Sequence, residues 1–331
     1  MIETDFTRLV GCTVPIQLAG MSAIVSPELT AAVSETGALG QISFVQTDPA
    51  VARQRLDRIE QLTRKPYGVN LVLPYIDPTI LMMAARRARV IDFFWGEPDP
   101  SLVEQVHAAG ALASWQVGSV REAISAEKVG CDFISAQGIE AGGHIRGQLS
   151  LLPLLAGVLD AVSVPVLAAG GIGTARSFAA VLQAGAAGVR MGTRFIAAAE
   201  SNAHPEYVQA LIAAGAEDTV LTTRFEVDCP MCPATHRVVR SALELAEALP
   251  DRQLGEMEVS GSPYPIPRYF GFPPTRQMTG RIAAMACYAG QSVAAIHGVQ
   301  PAGEIVAELV SGTENLLERH VQTGLRQRLA G

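Results

Sequence analysis

The sequence predicts an α/β chain folded as a (β/α)₈ TIM barrel, with a smaller, partly helical insertion over the barrel mouth. Three observations carry this reading. Short apolar runs alternate with amphipathic stretches as far as residue 194, a pattern of parallel strands joined by crossover helices. About eight such units fit the count, which favours a closed barrel. The strongest glycine pairs come late, whereas an open doubly wound sheet wants its glycine turn after the first strand. That first strand is followed instead by Ala19-Gly20-Met21.

The first strand is expected over 15–19. Ser26 then offers an N-cap and Pro27 a first-turn residue for a helix over 27–35, since proline has no amide to lose there. Strands follow over 39–44 and 67–73, separated by a helix over 50–62. Strands over 90–95 and 111–117 each lead into a helix, over 100–109 and 120–129. Strands over 133–136, 164–169 and 187–191 complete the set, with helices over 151–162 and 175–184 between them. After Arg194 the beat fails. Residues 206–283 bring Cys229-Pro-Met-Cys232, a helical stretch over 238–248 and a Pro/Gly/aromatic segment over 261–274. They read as a lid of one or two helices and a long ordered loop, whose Tyr264, Tyr269, Phe270 and Phe272 wall a pocket. The barrel then comprises 1–205 and 284–331, and an apolar helical period returns from Ile282.

Composition bounds the function. The 331 residues are 49% apolar and 17% charged, slightly more than one core usually holds, so one large domain with an insertion is expected. A net charge of -7 without a basic cluster speaks against nucleic acid. The acidic start lacks the plan of a signal peptide, and the apolar runs are too short to cross a bilayer. Five cysteines, mostly in apolar contexts (Cys12, Cys131, Cys287), suit a reducing compartment. A soluble cytoplasmic protein with a small-molecule substrate and no membrane partner is expected, and a homodimer stays open.

The segment Gln137-Gly-Ile-Glu-Ala-Gly-Gly-His144 sets one histidine in a backbone with almost no side-chain bulk. Glycines let a main chain approach a flat ligand closely, and an imidazole delivered there orients a substrate or moves a proton near neutral pH. A histidine that only caps a neighbouring backbone group is the plainer alternative. Gly170-Gly171 and Gly192-Thr193 follow the last two strands, where adjacent glycine turns form a phosphate site. A flavin mononucleotide, a nucleotide or a phosphosugar fits that signal equally.

Taken with Pro15-Ile-Gln-Leu-Ala-Gly-Met21, Gly68-Val-Asn-Leu71, Phe94-Trp-Gly96, Ala168-Ala-Gly-Gly-Ile172, Met191-Gly-Thr-Arg-Phe195, Glu200-Ser-Asn-Ala-His-Pro205 and Tyr288-Ala-Gly-Gln291, these motifs make the chain resemble the nitronate monooxygenase (2-nitropropane dioxygenase-like) family. That family includes FMN-dependent enoyl-acyl-carrier-protein reductases. The resemblance spans nearly the whole chain. It implies FMN across the barrel mouth, with Ala19, Gly20 and Met21 facing the ring and Asn70 and Gln137 bonding its polar edge or ribityl chain. Gly142, Gly143, Gly170, Gly171, Arg190, Met191, Gly192 and Thr193 would surround the ring edge and phosphate. His144 is carried over as the catalytic residue beside the flavin.

Two departures leave the substrate open. Gly-Gly-His-Ile-Arg-Gly stands where nitronate-oxidising relatives have Gly-Gly-His-Arg-Gly and enoyl reductases Gly-Gly-His-Ile-Gly. Gln116 stands where some NADH:quinone reductases have lysine, so it offers the flavin a hydrogen bond but no charge. The implied activity is FMN-dependent oxidation of alkyl nitronates with O₂. The alternatives are an NAD(P)H-dependent reductase of enoyl thioesters or quinones and, more distantly, a non-redox phosphosugar or nucleotide isomerase.

Other candidates are read plainly. Cys229, Cys232 and His236 have metal-like spacing without a second pair nearby, so no metal is expected; the segment reads as a proline-stiffened loop with free thiols, a metal or redox function being the alternative. His204 and His297, the latter in an apolar helix, read as structural, and Arg146 as either an added positive charge or a surface group. Trp95 and Trp115 suit pocket or core, and Tyr288 and Gln291 reach the flavin or do not.

Overall fold

The computed structural model describes residues 2–229, 231–259 and 261–329, with side chains through residue 319. Its centre is an eight-stranded parallel sheet of Ile16–Leu18, Gly40–Phe44, Tyr67–Val72, Val90–Phe94, Leu112–Val117, Phe133–Gln137, Val166–Ala169 and Gly188–Met191. Neighbours in sequence are neighbours in space, and the first strand pairs with the eighth through Ile16 and Val189. The barrel closes where Leu18 N–H donates to Leu39 O and Leu39 N–H donates to Ile16 O, each at 2.9 Å. Strands covered on both faces bury every residue in turn, as Gly40–Phe44 and Tyr67–Val72 do. This is why apolar runs rather than alternation mark them in the sequence.

The helices begin on a repeated local device. Asp48, Asp77 and Asp99 each precede a proline, and each carboxylate accepts an amide of the first turn, from Ala50 (2.7 Å), Thr79 (2.7 Å) and Ser101 (2.8 Å). Ser26 does the same for Pro27–Glu35, accepting from Leu29 N–H at 2.9 Å. The helix Pro78–Ala85 was not anticipated, although Asp77-Pro78 carries the same signal as its neighbours. The short helix Asp5–Val10 was missed as well. Its Phe6 packs edge-on against Phe133 at 5.2 Å, and Arg89 donates to the carbonyls of Leu9 and Val10, so it is tied to the start of the barrel strands.

The region after Arg194 differs from expectation in kind. Beyond the helix Pro205–Ile212 come two small antiparallel sheets. One joins Thr219–Thr222, His236–Val239 and Gly143–His144, and the expected helix starts behind it as Arg240–Ala248. The other joins Ser262–Pro267, Gln253–Val259 and Thr279–Gly280. The segment read as a long loop is therefore partly a strand. Pro263, Pro265 and Pro267 argued against that, but Ser262–Pro267 lies at the sheet edge, where alternate residues need no inward amide. The apolar period from Ile282 resolves into turns at Ile282–Ala284 and Gln291–Ala295, and the closing helix starts only at Ala302. His297 thus lies outside a helix and is exposed, while His204 caps Pro205–Ile212 by accepting from Glu206 N–H. Among the described residues no helix is long and apolar enough to cross a membrane.

Beside its apolar clusters the barrel carries a buried polar network. Asp92, fully buried, lies 2.7 Å from Arg190 Nη1 and accepts from Asn70 Nδ2 (2.7 Å), Ser114 Oγ (2.8 Å) and Gln41 Nε2 (3.3 Å). Gln17 Nε2 in turn donates to Gln41 Oε1 at 2.8 Å. Removing one partner of a buried ion pair strands the other charge. Asp92→Ala is therefore expected to cost about 3–5 kcal/mol, and the double replacement Asp92→Asn with Arg190→Met much less. Urea denaturation midpoints of the three proteins check this.

Candidate active site

Every residue singled out above as catalytic or cofactor-binding lines one cavity, which has about 180 Å³ of room for the centres of water molecules. Ala19, Gly20 and Met21 arrive from the end of the first strand, Asn70 from the third, Gln116 from the fifth and Gln137 from the sixth. Gly170 and Gly171 follow the seventh strand with φ of 108° and 69°, and Arg190 to Thr193 close the eighth. Loops at the carboxyl ends of barrel strands carry the reactive groups of this architecture. Gly142 is needed for close approach: a Cβ there would stand 2.5 Å from Gly290 N and 2.6 Å from Ala289 C.

His144 is held from two sides. From the barrel, Gln137 Nε2 donates to His144 O at 3.0 Å and its Oε1 accepts from Arg146 N–H at 3.3 Å. From the segment that follows the barrel strands, His236 pairs with His144 in antiparallel register, and Ile145 N–H donates to Thr235 O at 2.9 Å. Arg237 strengthens this seam by donating to Ile139 O from Nε (3.0 Å) and Nη2 (2.8 Å). The ring itself stands between Trp95 (5.8 Å between centroids), His236 (5.2 Å) and Tyr288 (5.7 Å). Burial, reinforced by His236, pushes the His144 pKa down to about 3, and burial holds His236 at about 4. Both imidazoles are neutral at physiological pH.

The polar inventory separates groups already engaged from groups that await a ligand. Gln137 spends its amide on the backbone of 144–146, so it acts here by positioning His144. Arg146 is spent too, paired with Glu122 at 2.8 Å and Glu97 at 3.4 Å and lying over the Trp95 ring. Trp115 is core, its Nε1 donating to Gly96 O, while Trp95 reaches the histidine with φ 66°. Tyr288 lines the cavity and donates to Gly271 O, whereas Gln291 is exposed outside it. Arg190 is different. Its Nη1 faces Asp92, but its buried Nε has no hydrogen-bond partner among the described residues. An unmatched guanidinium N–H beside glycine turns fits an electron-rich or anionic cofactor edge.

Two sequence expectations are corrected. Of Tyr264, Tyr269, Phe270 and Phe272, only Phe272 lines the cavity. Cys229 and Cys232 are not free thiols but a disulfide, and Pro230 between them lies outside the described residues. Cys12, Cys131 and Cys287 remain free and buried. Sequence reasoning also missed Tyr75, Tyr207 and Met231 as cavity residues, since isolated side chains from separate segments carry no spacing signal.

The profile described as nitronate monooxygenase matches residues 3–80 and 76–312. The chain belongs to the nitronate monooxygenase family. This family member is 30% identical over 329 residues to a probable nitronate monooxygenase of Staphylococcus aureus, covering 79% of this chain and 92% of that protein. It is 33% identical over 226 residues to the (3aS,4S,5R,7aS)-5-hydroxy-7a-methyl-1-oxo-octahydro-1H-indene-4-carboxyl-CoA dehydrogenase of Rhodococcus jostii; the match spans 68% of this chain and 64% of that enzyme's length. Among solved structures it resembles FabK from Thermotoga maritima, with TM-score 0.79, 27% identity and coverage of 98% and 100%. The nitroalkane oxidase of Streptomyces ansochromogenes is similar, with TM-score 0.74, 26% identity and coverage of 94% and 98%. The family and its FabK neighbours are flavin-dependent in general, this chain is an oxidoreductase, and its enzyme homologues act on small molecules.

The two depressed imidazoles set a pH dependence of stability. Their folded-state pKa values of about 3 and about 4 lie below the ordinary value of about 6.5, so the unfolded chain binds protons first as the medium turns acid. Their contribution is flat above about pH 6.5 and is lost as pH falls towards 4. Urea midpoints should drop between pH 7 and pH 5, and His144→Asn should shrink that drop.

Proposed function

We propose that this protein is an FMN-dependent oxidoreductase that oxidises alkyl nitronates with O₂, His144 being its catalytic residue. The observation that carries the reading is a neutral imidazole, fixed on both sides, in the wall of a cavity built from glycine turns. Bound FMN would supply the electron chemistry, leaving the protein to provide orientation, charge and exclusion of water. Ala19 to Met21 and Gly142 to Gly143 would approach the ring through main chain. Arg190 Nε would donate to its electron-rich edge, with Asn70 and Gln116 beside it. Gly170, Gly171, Gly192 and Thr193 would surround the phosphate.

His144 then does two things. A disulfide sulfur carries no proton, so the 3.2 Å contact with Cys229 Sγ puts the ring N–H on Nε2 and leaves Nδ1 as the base. The neutral ring orients the nitronate beside the flavin and, for a nitroalkane, offers Nδ1 as the acceptor of the α-proton. Residues 206–283 serve as a lid, with Phe272 and Met231 in the cavity wall limiting how bulky the substrate is.

A second reading keeps the flavin but takes a thioester substrate, with NAD(P)H as electron donor. The similarity to the indene-4-carboxyl-CoA dehydrogenase of Rhodococcus jostii supports the thioester part of it. Anaerobic mixing separates the two: bleaching of the flavin by alkyl nitronate but not by NAD(P)H supports the first, and the reverse outcome supports the second. His144→Ala should retain FMN while turnover falls by about 10²–10⁴-fold. Undiminished turnover in that variant would remove the catalytic assignment.

A further inference from the structure

The nitronate reaction leaves one part of this cavity idle. Cys229 and Cys232 are three positions apart, and a cross-link over so short a span gains little loop entropy, because that gain grows with the logarithm of loop length. A structural staple is therefore a poor account of this disulfide. The other sulfurs of the chain are buried thiols, with burial pushing Cys12 up to about 11 and Cys131 up to about 12. Such thiols are inert. Cys229 and Cys232, in contrast, are half-buried, and Cys229 forms part of the cavity wall. His144 Nε2 lies 3.2 Å from Cys229 Sγ and 3.7 Å from Cys232 Sγ. An imidazole N–H this close to a sulfur pair stabilises the thiolate, the form in which a thiol attacks.

We propose that Cys229 and Cys232 are a redox-active pair that carries two electrons from an external dithiol to the flavin held in the same cavity. The proposal rests on the FMN reading above. In the first half, the thiolate of a dithiol R(SH)₂ attacks one sulfur of the pair. The Cys229–Cys232 bond breaks, both sulfurs become thiols, and the donor leaves as its cyclic disulfide RS₂. In the second half the Cys229–Cys232 bond forms again. Two electrons and one proton pass to oxidised flavin, and the other proton is released to solvent. The sum is R(SH)₂ + FMN → RS₂ + FMNH⁻ + H⁺. The pair gives the oxidoreductase an electron entry separate from its organic substrate.

The test uses FMN-loaded protein under anaerobic conditions with dithiothreitol as the donor. Maleimide mass-tagging after denaturation should count the three free cysteines before exposure and all five after it. Oxidised-flavin absorbance should be lost in the wild type, and that loss should disappear in Cys229→Ser and in Cys232→Ser. Wild-type protein reduced and then carboxamidomethylated at both cysteines makes the same comparison if either variant fails to fold. Bleaching equal in all forms overturns the proposal. So does air-purified protein with five free thiols and one equivalent of zinc, which would make the cluster of His144, Cys232 and His236 a metal site instead. A folded protein that binds no FMN overturns the flavin reading and this proposal together, whereas FMN-loaded protein whose bleaching ignores the cysteines overturns this proposal alone.

Discussion

The buried ion pair of Asp92 and Arg190 is the constraint on which the site is built. A carboxylate at the centre of a barrel is tolerable only if a cation and several donors meet it there, and the fourth and eighth strands supply the pair across the barrel. Satisfying Asp92 fixes more than the core. It pins Asn70 through its amide nitrogen and holds Arg190, a cavity-lining residue, with its Nε unpartnered among the described residues. The floor of the pocket is thus a by-product of neutralising a charge. A barrel filled with aliphatic layers would hold its strands as well but would offer a ligand nothing polar.

The wall opposite that floor is made differently. His144 belongs to a barrel loop in sequence, yet by hydrogen bonding it is the edge strand of a small antiparallel sheet. Gln137 and His236 grip its backbone from opposite sides, and Arg237 ties that sheet to the same loop at Ile139. The imidazole is therefore oriented by two units at once. Its depressed basicity has the same origin, since the seam that orients the ring also surrounds it with protein and places a second imidazole beside it.

Much of this was legible in the chain. The barrel strands showed as apolar runs because parallel strands covered on both faces have no solvent side to alternate with. The glycine turns and Gln137 to His144 were legible because close backbone approach demands a residue without a side chain. What escaped was non-local. The Cys229–Cys232 bond escaped because the two cysteines read as free thiols in a proline-stiffened loop, and their meeting with each other and with His144 shows only in space. The hairpin at 253–267 escaped because proline weighs against strands, an average rule that edge positions do not obey. Asp77-Pro78 was a true miss, since the same dipeptide was in plain view before two neighbouring helices.

The prolines at 263, 265 and 267 carry a last consequence. They fall on every second residue of the outermost strand, while Tyr264 and Ile266 alternate with them opposite Met257 and Gly255. The outward rim of that hairpin accordingly presents carbonyl oxygens with no matching donors. Two such rims have nothing to offer each other, because a ladder needs an N–H on one side of every rung. Copies of this protein crowded together are barred from zipping through this margin into a continuous ribbon, and the feature that hid the strand from sequence reading keeps it solitary.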